Sequence, residues 1–431
     1  MLLTIVIFII ILSVLVFAHE FGHFWTARKF GVKAEEFGFG LPPRIFGIRK
    51  FNQDQIEKMA ETESATVELS EPQIADSATI TKEKITDKIQ AVGRIVKKNK
   101  WEMVWGPKEA EPWSPTIYSL NWIPVGGFVK IRGESGEYRD RQDSFANKAV
   151  WKKLIILAAG VTMNVILCAV LLMIGFGLGL PAVVGEQTKG QIISQAKIQV
   201  IEVLAQSPAQ AAGIKAGDTI LSADDNKFTS IEALRDYLNN KIGQKIKFNL
   251  KRGKNEIIKE VEVKKYGDNI GVGVGLVETA IVRYPWYLAI WQGIKMTYIW
   301  LIMIVVGLAT IIRNLFVGAP IGVEVAGPVG IAALTGQMTR MGFIYILQFT
   351  ALLSLNLAII NILPFPALDG GRILFLIIEK IRRKAIKQQL ENLIHNLGFM
   401  LLMVLIIFIT YRDIVKYGAK IWGAMKGSVG L

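Results

Sequence analysis

Long runs of apolar residues alternate with charged segments along this chain. Three runs, at residues 2–27, 154–180 and 343–363, are long enough to cross a bilayer as helices, because a span needs about 20 apolar residues. A fourth run, at 397–411, is shorter but extends back to Leu390. The pattern predicts a polytopic α-helical membrane protein with four transmembrane helices.

A fifth apolar stretch, residues 286–317, is harder to place. Its most apolar part, Trp300–Ile312, is short for a span. Lys295 and Arg313 flank that part on its two sides. We therefore expect residues 279–342 to form an interfacial or re-entrant amphipathic region that does not cross the membrane.

A polar segment separates the first two spans. From Asn52 to Lys100 the chain contains no aromatic residue, and Glu, Lys, Thr and Ser dominate. Such a composition cannot bury enough apolar surface to fold by itself. Residues 52–115 are predicted to be a polar, flexible cytoplasmic insertion.

The segment that follows has a different pattern. Residues 116–134 partly alternate between apolar and polar positions and contain the pair Gly126 and Gly127. Alternation interrupted by a glycine pair is typical of a β-hairpin. The apolar content indicates that this hairpin, within residues 116–150, is associated with the membrane.

Residues 185–278 read as a soluble α+β module. The pattern predicts strands at 199–204, 245–250 and 257–263, and an amphipathic helix that begins at a Ser230 cap. The stretch S-P-A-x-x-A-G-I-K-A-G-D-x-I-L, which begins at residue 207, resembles a bacterial PDZ domain. Such a domain binds extended peptides at a sheet edge, and a plug that only blocks access is the alternative.

The distribution of charge orients these segments. The chain has 50 Lys and Arg against 36 Asp and Glu, a net charge of +14, and 52% of its residues are hydrophobic. Lys and Arg are concentrated in the loops 28–153 and 372–389, which the positive-inside rule makes cytoplasmic. We therefore expect a lipid bilayer and no nucleic acid as a partner. The single cysteine, Cys168, excludes an intrachain disulfide.

The first apolar run contains an H-E-F-G-H motif at residues 19–23. On a helix, His19 and His23 lie on one face and can bind the same metal ion, while Glu20 can take a proton from an attacking water. Residues 2–18 hold no charged residue, so the motif lies at membrane depth, where ionisable side chains mark function. A chance match is the alternative, but two of the three histidines of the chain stand here.

Two histidines leave a catalytic zinc site one protein ligand short. The third histidine, His395, lies near the start of the last span. Asp369 is the better candidate, because it is the lone acid in the apolar stretch 356–371. Pro364 and Pro366 break the helix before it. The alternative is a turn without a metal, since Asp-Gly-Gly is common turn chemistry.

Together these motifs resemble the site-2 protease family of intramembrane zinc metalloproteases, of the regulator-of-sigma-E protease type. The resemblance rests on the H-E-F-G-H span, on N-x-x-P-x-P-x-L-D-G-G at residues 361–371 and on the PDZ module between them. Three shorter stretches agree with it: G-x-x-x-N at 160–164, the hairpin at 123–130 and Gly-Pro-Val-Gly-Ile at 327–331. It covers nearly the whole chain outside 52–115.

The resemblance implies roles for individual residues. His19, His23 and Asp369 would ligate one Zn²⁺ per chain, with Glu20 as the general base. A further set would position the unwound substrate: Asn164, Asn356, Asn361, Gly126 and Gly127. For each asparagine the alternative is packing between helices.

A shared metal also limits the topology. Asp369 must reach the cytoplasmic side, where His19 and His23 lie, whereas the PDZ module lies outside the cell. One crossing between the module and Asp369 satisfies this requirement, and two crossings would not. This argument places 286–317 in the interface and predicts four crossings in all.

The leading hypothesis is an intramembrane zinc endopeptidase in the bacterial inner membrane. It would cleave transmembrane segments of single-span proteins, such as an anti-sigma factor or a remnant signal peptide, after another protease has trimmed them. The active site would face the cytoplasm and the extracytoplasmic PDZ domain would exclude bulky ectodomains or bind a peptide. The alternative is a non-proteolytic PDZ scaffold with a structural metal.

The predicted division of the chain follows from these arguments. In order along the chain, the segments are the first transmembrane helix (1–30), a cytoplasmic loop (31–51), the insertion (52–115), the hairpin region (116–150), the second transmembrane helix (151–181), the PDZ domain (185–278), the interfacial region (279–342), the third transmembrane helix (343–371), a basic cytoplasmic loop (372–389), the fourth transmembrane helix (390–412) and a C-terminal tail (413–431).

Overall fold

The fold was analysed in a computed structural model of the chain. The structure describes residues 2–51, 101–107, 114–184, 190–204, 206–253, 255–266, 269–318, 326–384 and 386–429. Most of the predicted insertion therefore lies outside the described residues. The chain divides into two compact units: the first contains Met1–Cys168, Ile299–Met341 and Phe349–Leu431, and the second contains Ala169–Tyr298 and Gly342–Gln348.

Helices make up just over half of the described residues. The helices are α1 (Leu2–Lys29), α2 (Val150–Leu178), α3 (Pro208–Ala211), α4 (Ile231–Asn239), α5 (Trp286–Val317), α6 (Pro328–Met341), α7 (Phe343–Ile362), α8 (Asp369–Arg382) and α9 (Gln388–Val429). Within the described residues, five of them, α1, α2, α5, α7 and α9, are long and apolar enough to cross a membrane.

Helix α5 differs from the expectation for residues 286–317. It is one continuous helix of 32 residues. Lys295 and Arg313 lie within this helix, since lysine and arginine favour helical structure and do not end it. Its length and composition would allow a crossing. The interfacial placement and the count of four crossings therefore stay predictions, and the orientation of α5 decides between four and five.

Two boundaries near the C-terminus need correction. The predicted basic loop 372–389 is largely helix α8, because Pro364 and Pro366 end the preceding helix and Asp369 then starts a new amphipathic one. The predicted tail 413–431 is the continuation of α9, which runs to Val429. Residues 413–429 contain no proline, so no residue that breaks a helix ends α9 before Val429.

Helices α1 and α2 cross at unusually close range in the first unit. A side chain on Gly22 would overlap the backbone carbonyl of Ala159. Small residues at such a crossing let two helix backbones approach within a membrane. This contact brings the H-E-F-G-H segment of α1 against residues 156–164 of α2.

A three-stranded sheet packs beside α1. Its order is β2–β1–β3, with β1 at Ala34–Lys50, β2 at Trp101–Trp105 and β3 at Ile117–Ile131. The segment Trp101–Trp105 belongs to the predicted flexible insertion, and that part of the prediction is wrong. Its two tryptophans mark the return of apolar residues after Lys100, and the strand pairs with Phe46–Lys50.

The predicted hairpin at 116–150 also differs in its pairing. Phe37 of β1 lies opposite both Tyr118 and Val129 of β3. The two arms of β3 therefore flank β1, and in the described registers neither arm pairs with the other. The local pattern showed the turn at the glycine pair, but the strand that fills the space between the arms comes from residues 34–41, far away in sequence.

The second unit contains the predicted PDZ module, built on a sheet of order β4–β12–β6–β7–β8–β9, with β5 beside β12. The strands are β4 (Leu180–Val183), β5 (Gln191–Ile192), β6 (Lys197–Val203), β7 (Thr219–Ala223), β8 (Lys245–Arg252), β9 (Asn255–Glu262) and β12 (Val274–Arg283), with a separate pair β10 (Lys264–Tyr266) and β11 (Asn269–Gly271). The predicted boundaries 185–278 are too narrow, because Thr279 to Val282 pair with Val183 to Leu180.

The residues of the S-P-A…A-G-D stretch have clear structural roles in this module. Ser207 caps α3, because its side chain accepts a hydrogen bond from the Gln210 N–H. Asp218 is fully buried and accepts hydrogen bonds from the Lys215 N–H and from two nitrogens of Arg252. Burial raises the pKa of Asp218, but these hydrogen bonds outweigh it, and the net pKa lies below its usual value.

Arg252→Ala is expected to destabilise this module by about 2 kcal/mol at pH 7, because it leaves the buried Asp218 carboxylate without its ion-pair partner. The loss is smaller than for a fully buried pair, since Arg252 is partly exposed to solvent. Since the folded-state pKa of Asp218 is depressed, its stabilisation is complete above the unfolded value of about 3.9 and is lost as the pH falls through the folded-state pKa. The loss on substitution should therefore be smaller at pH 3 than at pH 7.

The measurement is hydrogen exchange of the Thr219–Ala223 amides in urea, on the full-length chain in detergent at both pH values. Lys251→Ala is the matched control, since Lys251 is the exposed neighbour on the same strand. Equal protection in the two variants at pH 7 would contradict the assigned role of the ion pair.

Candidate metal centre

Helix α1 places His19 and His23 side by side. The residues before them are uncharged and apolar, so α1 runs unbroken from Leu2 to Lys29. Residues four apart lie on one helix face, and both imidazoles are buried, with 7% and 6% of their surface exposed. Their Nε2 atoms lie 3.2 Å apart.

Asp369 reaches the same point from the other end of the chain. Helix α7 ends at Ile362, and the loop that follows folds back so that Asp369 is the first residue of α8. A side chain on Gly370 would overlap the carbonyl oxygens of Ile362 and Leu363, so this tight return requires glycine. The Asp369 Oδ2 lies 3.0 Å from the His19 Nε2 and 3.3 Å from the His23 Nε2.

The three atoms fit a zinc ion. Ligands about 2.0 Å from a tetrahedral centre are separated from one another by about 3.3 Å, and the three observed separations are 3.0, 3.2 and 3.3 Å. The His23 Nδ1 lies 2.9 Å from the Ile156 carbonyl oxygen; since a carbonyl only accepts, Nδ1 carries the proton and Nε2 presents a lone pair. Among the described residues, the buried Asp369 Oδ2 has no hydrogen-bond partner, so its lone pairs can serve a metal ion.

Helix α2 shapes this site with its G-x-x-x-N stretch. A side chain on Gly160 would overlap the His23 Nε2, so the glycine leaves the room that the imidazoles occupy. One turn later, Asn164 is fully buried, and its Nδ2 lies 3.3 Å from the His19 Nδ1. The structure therefore places Asn164 against a candidate ligand.

The amide of Asn164 can orient His19. When His19 offers Nε2 to a metal, its Nδ1 carries a proton and needs an acceptor. The Asn164 Oδ1 is buried and has no hydrogen-bond partner among the described residues. A half-turn of the amide brings Oδ1 to the His19 N–H, and this orientation satisfies both groups. The Ser354 hydroxyl donates a hydrogen bond to the backbone carbonyl of Asn164, so α7 also contacts α2 at this position.

Glu20 lies beside the three candidate ligands. Its Oε2 accepts a hydrogen bond from the Val129 N–H at 3.2 Å, so strand β3 fixes the carboxylate. Glu20 lines two cavities that share Ala367, Leu368 and Asp369. The arrangement suits a carboxylate that moves a proton at a metal site.

The two cavities differ in character. The first, of about 150 Å³, is mainly polar and includes Glu134 and Arg372, which form an ion pair. The second, of about 250 Å³, includes Val16, Leu357 and Asn361. Glu20 and Asp369 line both cavities, so each cavity reaches the candidate site.

The remaining predicted residues have three different surroundings. Asn361 lines the second cavity, whereas the Asn356 side chain donates to the Leu352 carbonyl of its own helix. Gly126 and Gly127 pack the turn of β3 against α1: side chains there would approach Val16 and Phe17 respectively. Substrate positioning by these residues stays a prediction.

Sequence reasoning missed several contacts around the site. The Ile156 carbonyl and the β3 amide of Val129 are backbone groups, which carry no signal in a sequence. Ser13 is buried in α1, and its hydroxyl donates to the Pro124 carbonyl in the β3 turn. In the sequence, the polar side chain of Ser13 within an apolar run is the signal that could have indicated a polar partner for this part of α1.

A long apolar helix that presents two histidines and a glutamate, met by an aspartate at the start of a second helix, is typical of one class: the zinc metalloproteases of membranes. Comparison with known proteins agrees. The chain belongs to peptidase family M50, whose family model matches residues 7–82 and 95–405. It is an integral membrane zinc metalloprotease of the site-2 protease type, which confirms the family, the enzyme class and the cofactor expected from the sequence.

Similar proteins extend over almost the whole chain. Zinc metalloprotease RasP of Geobacillus kaustophilus is 28% identical over 96% of this chain and 98% of its own length. Regulator of sigma-W protease RasP of Bacillus subtilis is also 28% identical, over 96% of this chain and 98% of its own length.

A solved structure is similar to a smaller part of the chain. The PDZ domain of the SdrC-like protein from Listeria monocytogenes is 27% identical over 20% of this chain and 92% of its own length, with a TM-score of 0.18.

Gly160→Ala is expected to abolish high-affinity zinc binding, because the added methyl group would overlap the His23 Nε2. The measurement is zinc content after dialysis of the purified full-length protein against a weak chelator. Gly177→Ala is the matched control, since a methyl group there meets no other atom within 4 Å. Retention of zinc by the Gly160 variant at the wild-type level would refute the placement of the imidazoles.

Proposed function

We propose that the chain is an endopeptidase that cleaves transmembrane segments of single-span membrane proteins, with His19, His23 and Asp369 as zinc ligands and Glu20 as general base. The observation that carries the proposal is the triangle of Nε2, Nε2 and Oδ2 atoms, with sides of 3.0 to 3.3 Å. Three protein ligands and an open fourth position are typical of catalytic zinc.

The residues of the site divide the chemistry between them. Zinc, when bound, supplies Lewis acidity at the scissile carbonyl and makes water acidic enough to attack near neutral pH. Glu20 accepts the proton of the attacking water and delivers it to the leaving amine. The Val129 N–H holds the Glu20 Oε2, so the second oxygen of Glu20 is left for the proton. The Ile156 carbonyl and Asn164 keep the two imidazoles in ligating orientation.

The substrate must lose its helical structure before a peptide bond can be attacked. Exposed backbone groups in lipid then need hydrogen-bond partners. Asn361 lies in the second cavity with Leu357 and Val16, so it can serve an unwound segment there. Water would enter through the polar first cavity, where Glu134 and Arg372 lie.

The substrate class follows from the site and from a relative. The name of the Bacillus subtilis relative, regulator of sigma-W protease, supports an anti-sigma factor as one substrate, and a remnant signal peptide fits the same cavity chemistry. We propose that another protease trims the substrate first. The PDZ-like domain would then exclude untrimmed ectodomains or bind a new peptide end.

The membrane placement is part of the same proposal. Arg28 and Lys29 close α1, and Lys380 and Arg382 close α8, so basic residues follow both halves of the metal site. The positive-inside rule puts these ends in the cytoplasm of a bacterium. The site then faces the cytoplasmic side of the inner membrane and the PDZ-like domain lies outside. A scaffold with a structural metal is less well supported, because such sites use four protein ligands and three converge here within the described residues.

Glu20→Gln is expected to lower cleavage at least 100-fold, as expected for loss of a general base, while about one zinc per chain is retained. Glutamine keeps an oxygen for the Val129 N–H, so the site geometry survives. The measurement is cleavage of a model single-span substrate in detergent, with zinc content assayed on the same samples. His23→Ala is the control that should lose both zinc and cleavage. Equal processing by wild type and Glu20→Gln would refute the protease proposal.

Removal of the PDZ-like domain tests its role as a filter. Residues 184–278 can be replaced by an Asn-Gly turn, because Val183 and Thr279, which then flank the turn, are partners in one β-ladder. Cleavage of an untrimmed substrate should rise relative to cleavage of the trimmed one. An unchanged ratio would show that the domain does not select by ectodomain size.

A further inference from the structure

The third histidine of the chain, His395, contacts the loop that carries Asp369. Its Nδ1 accepts a hydrogen bond from the Ala367 N–H at 2.9 Å. Ala367 stands two residues before Asp369 and lines both cavities of the site. His395 is not a member of the metal-ligand cluster in the described residues, so its role differs from that of His19 and His23.

The loop at Ala367 has a conformation that needs support. Ala367 has φ of +77°, in the left-handed region that a side chain disfavours. The chain turns tightly here, since the Leu368 N–H donates to the Phe365 carbonyl and the Gly371 N–H to the Leu368 carbonyl. A conformation of this kind persists only where the surroundings hold it.

Helix α9 supplies that support through one face. The His395 ring packs on Phe375 of α8, with centroids 5.3 Å apart. Three residues further along α9, a side chain on Gly398 would overlap Pro366, so the helix lies directly against the loop. The His395 Nε2 is buried and has no hydrogen-bond partner among the described residues. The polar contact of His395 with the loop is therefore made through Nδ1 alone.

We propose that His395 is a positioning residue for Asp369: by accepting the Ala367 N–H, it holds the loop that aims the carboxylate at the two histidines. The proposal rests on the proposed metal site, in which Asp369 is a ligand. Without the hydrogen bond, Ala367 relaxes toward negative φ and the start of α8 shifts. Zinc affinity then falls, although no ligand has been removed.

The test is zinc affinity of the full-length protein, measured by competition with a chromophoric chelator. His395→Ala should weaken zinc binding about 10- to 100-fold, the effect typical of an outer-shell partner of a metal site. His395→Asn should stay within about threefold of wild type, because its Oδ1 can occupy the place of Nδ1. His395→Gln, whose oxygen falls nearer the place of Nε2, should resemble the Ala variant. Equal affinities in the Ala and Asn variants would overturn the proposal.

A second readout does not depend on zinc. Hydrogen exchange of the Ala367 amide in the zinc-free protein should accelerate in His395→Ala and His395→Gln and stay slow in His395→Asn. Asn396→Ala is the matched control, since Asn396 is the exposed next residue on α9. Unchanged exchange in His395→Ala would also overturn the proposal.

The ligand set is tested separately by Asp369→Ala and His23→Ala. If both variants bind zinc as wild type does, the proposed metal site is wrong. If both lose zinc while His395→Ala keeps wild-type affinity, the ligands stand and only the positioning role fails.

Discussion

The structure depends on one electrostatic requirement: the Nε2 atoms of His19 and His23 lie 3.2 Å apart, and the Asp369 Oδ2 lies 3.0 and 3.3 Å from them. Three such atoms held together in a buried site need positive charge between them, and the proposed zinc ion would supply it. Most contacts around the site serve to hold this arrangement. The Ile156 carbonyl sets the His23 tautomer, and Gly160 leaves the space that both rings fill.

Helix packing and loop geometry meet at this point. The crossing of α1 and α2 relies on glycines, because only residues without a side chain let the backbones approach that closely. The approach of Asp369 relies on the opposite device, a break in a helix at Pro364 and Pro366 followed by a glycine pair. The candidate ligands come from positions 19, 23 and 369 of a 431-residue chain. A close helix crossing and a broken helix bring them together.

The surroundings of the metal site match the demands of hydrolysis in a membrane. Glu20 lines two cavities, one that includes the ion pair of Glu134 and Arg372 and one that includes Val16, Leu357 and Asn361. Strand β3 contributes the Val129 N–H to Glu20 and anchors its turn to α1 through Ser13. The sheet therefore contacts both the Glu20 carboxylate and the first half of α1.

The sequence by itself determined the candidate chemistry, because metal binding needs particular side chains: the H-E-F-G-H motif, Asp369 after two prolines and the S-P-A…A-G-D module are all readable in one dimension. Four of the long apolar helices were also readable, since a bilayer demands long apolar runs. Only the tertiary structure decided that β1 inserts between the arms of β3, that α5 is continuous, that Asn164 lies beside His19 and that His395 contacts the loop before Asp369. Those features arise from backbone groups and from residues far apart in the chain, and neither leaves a local pattern.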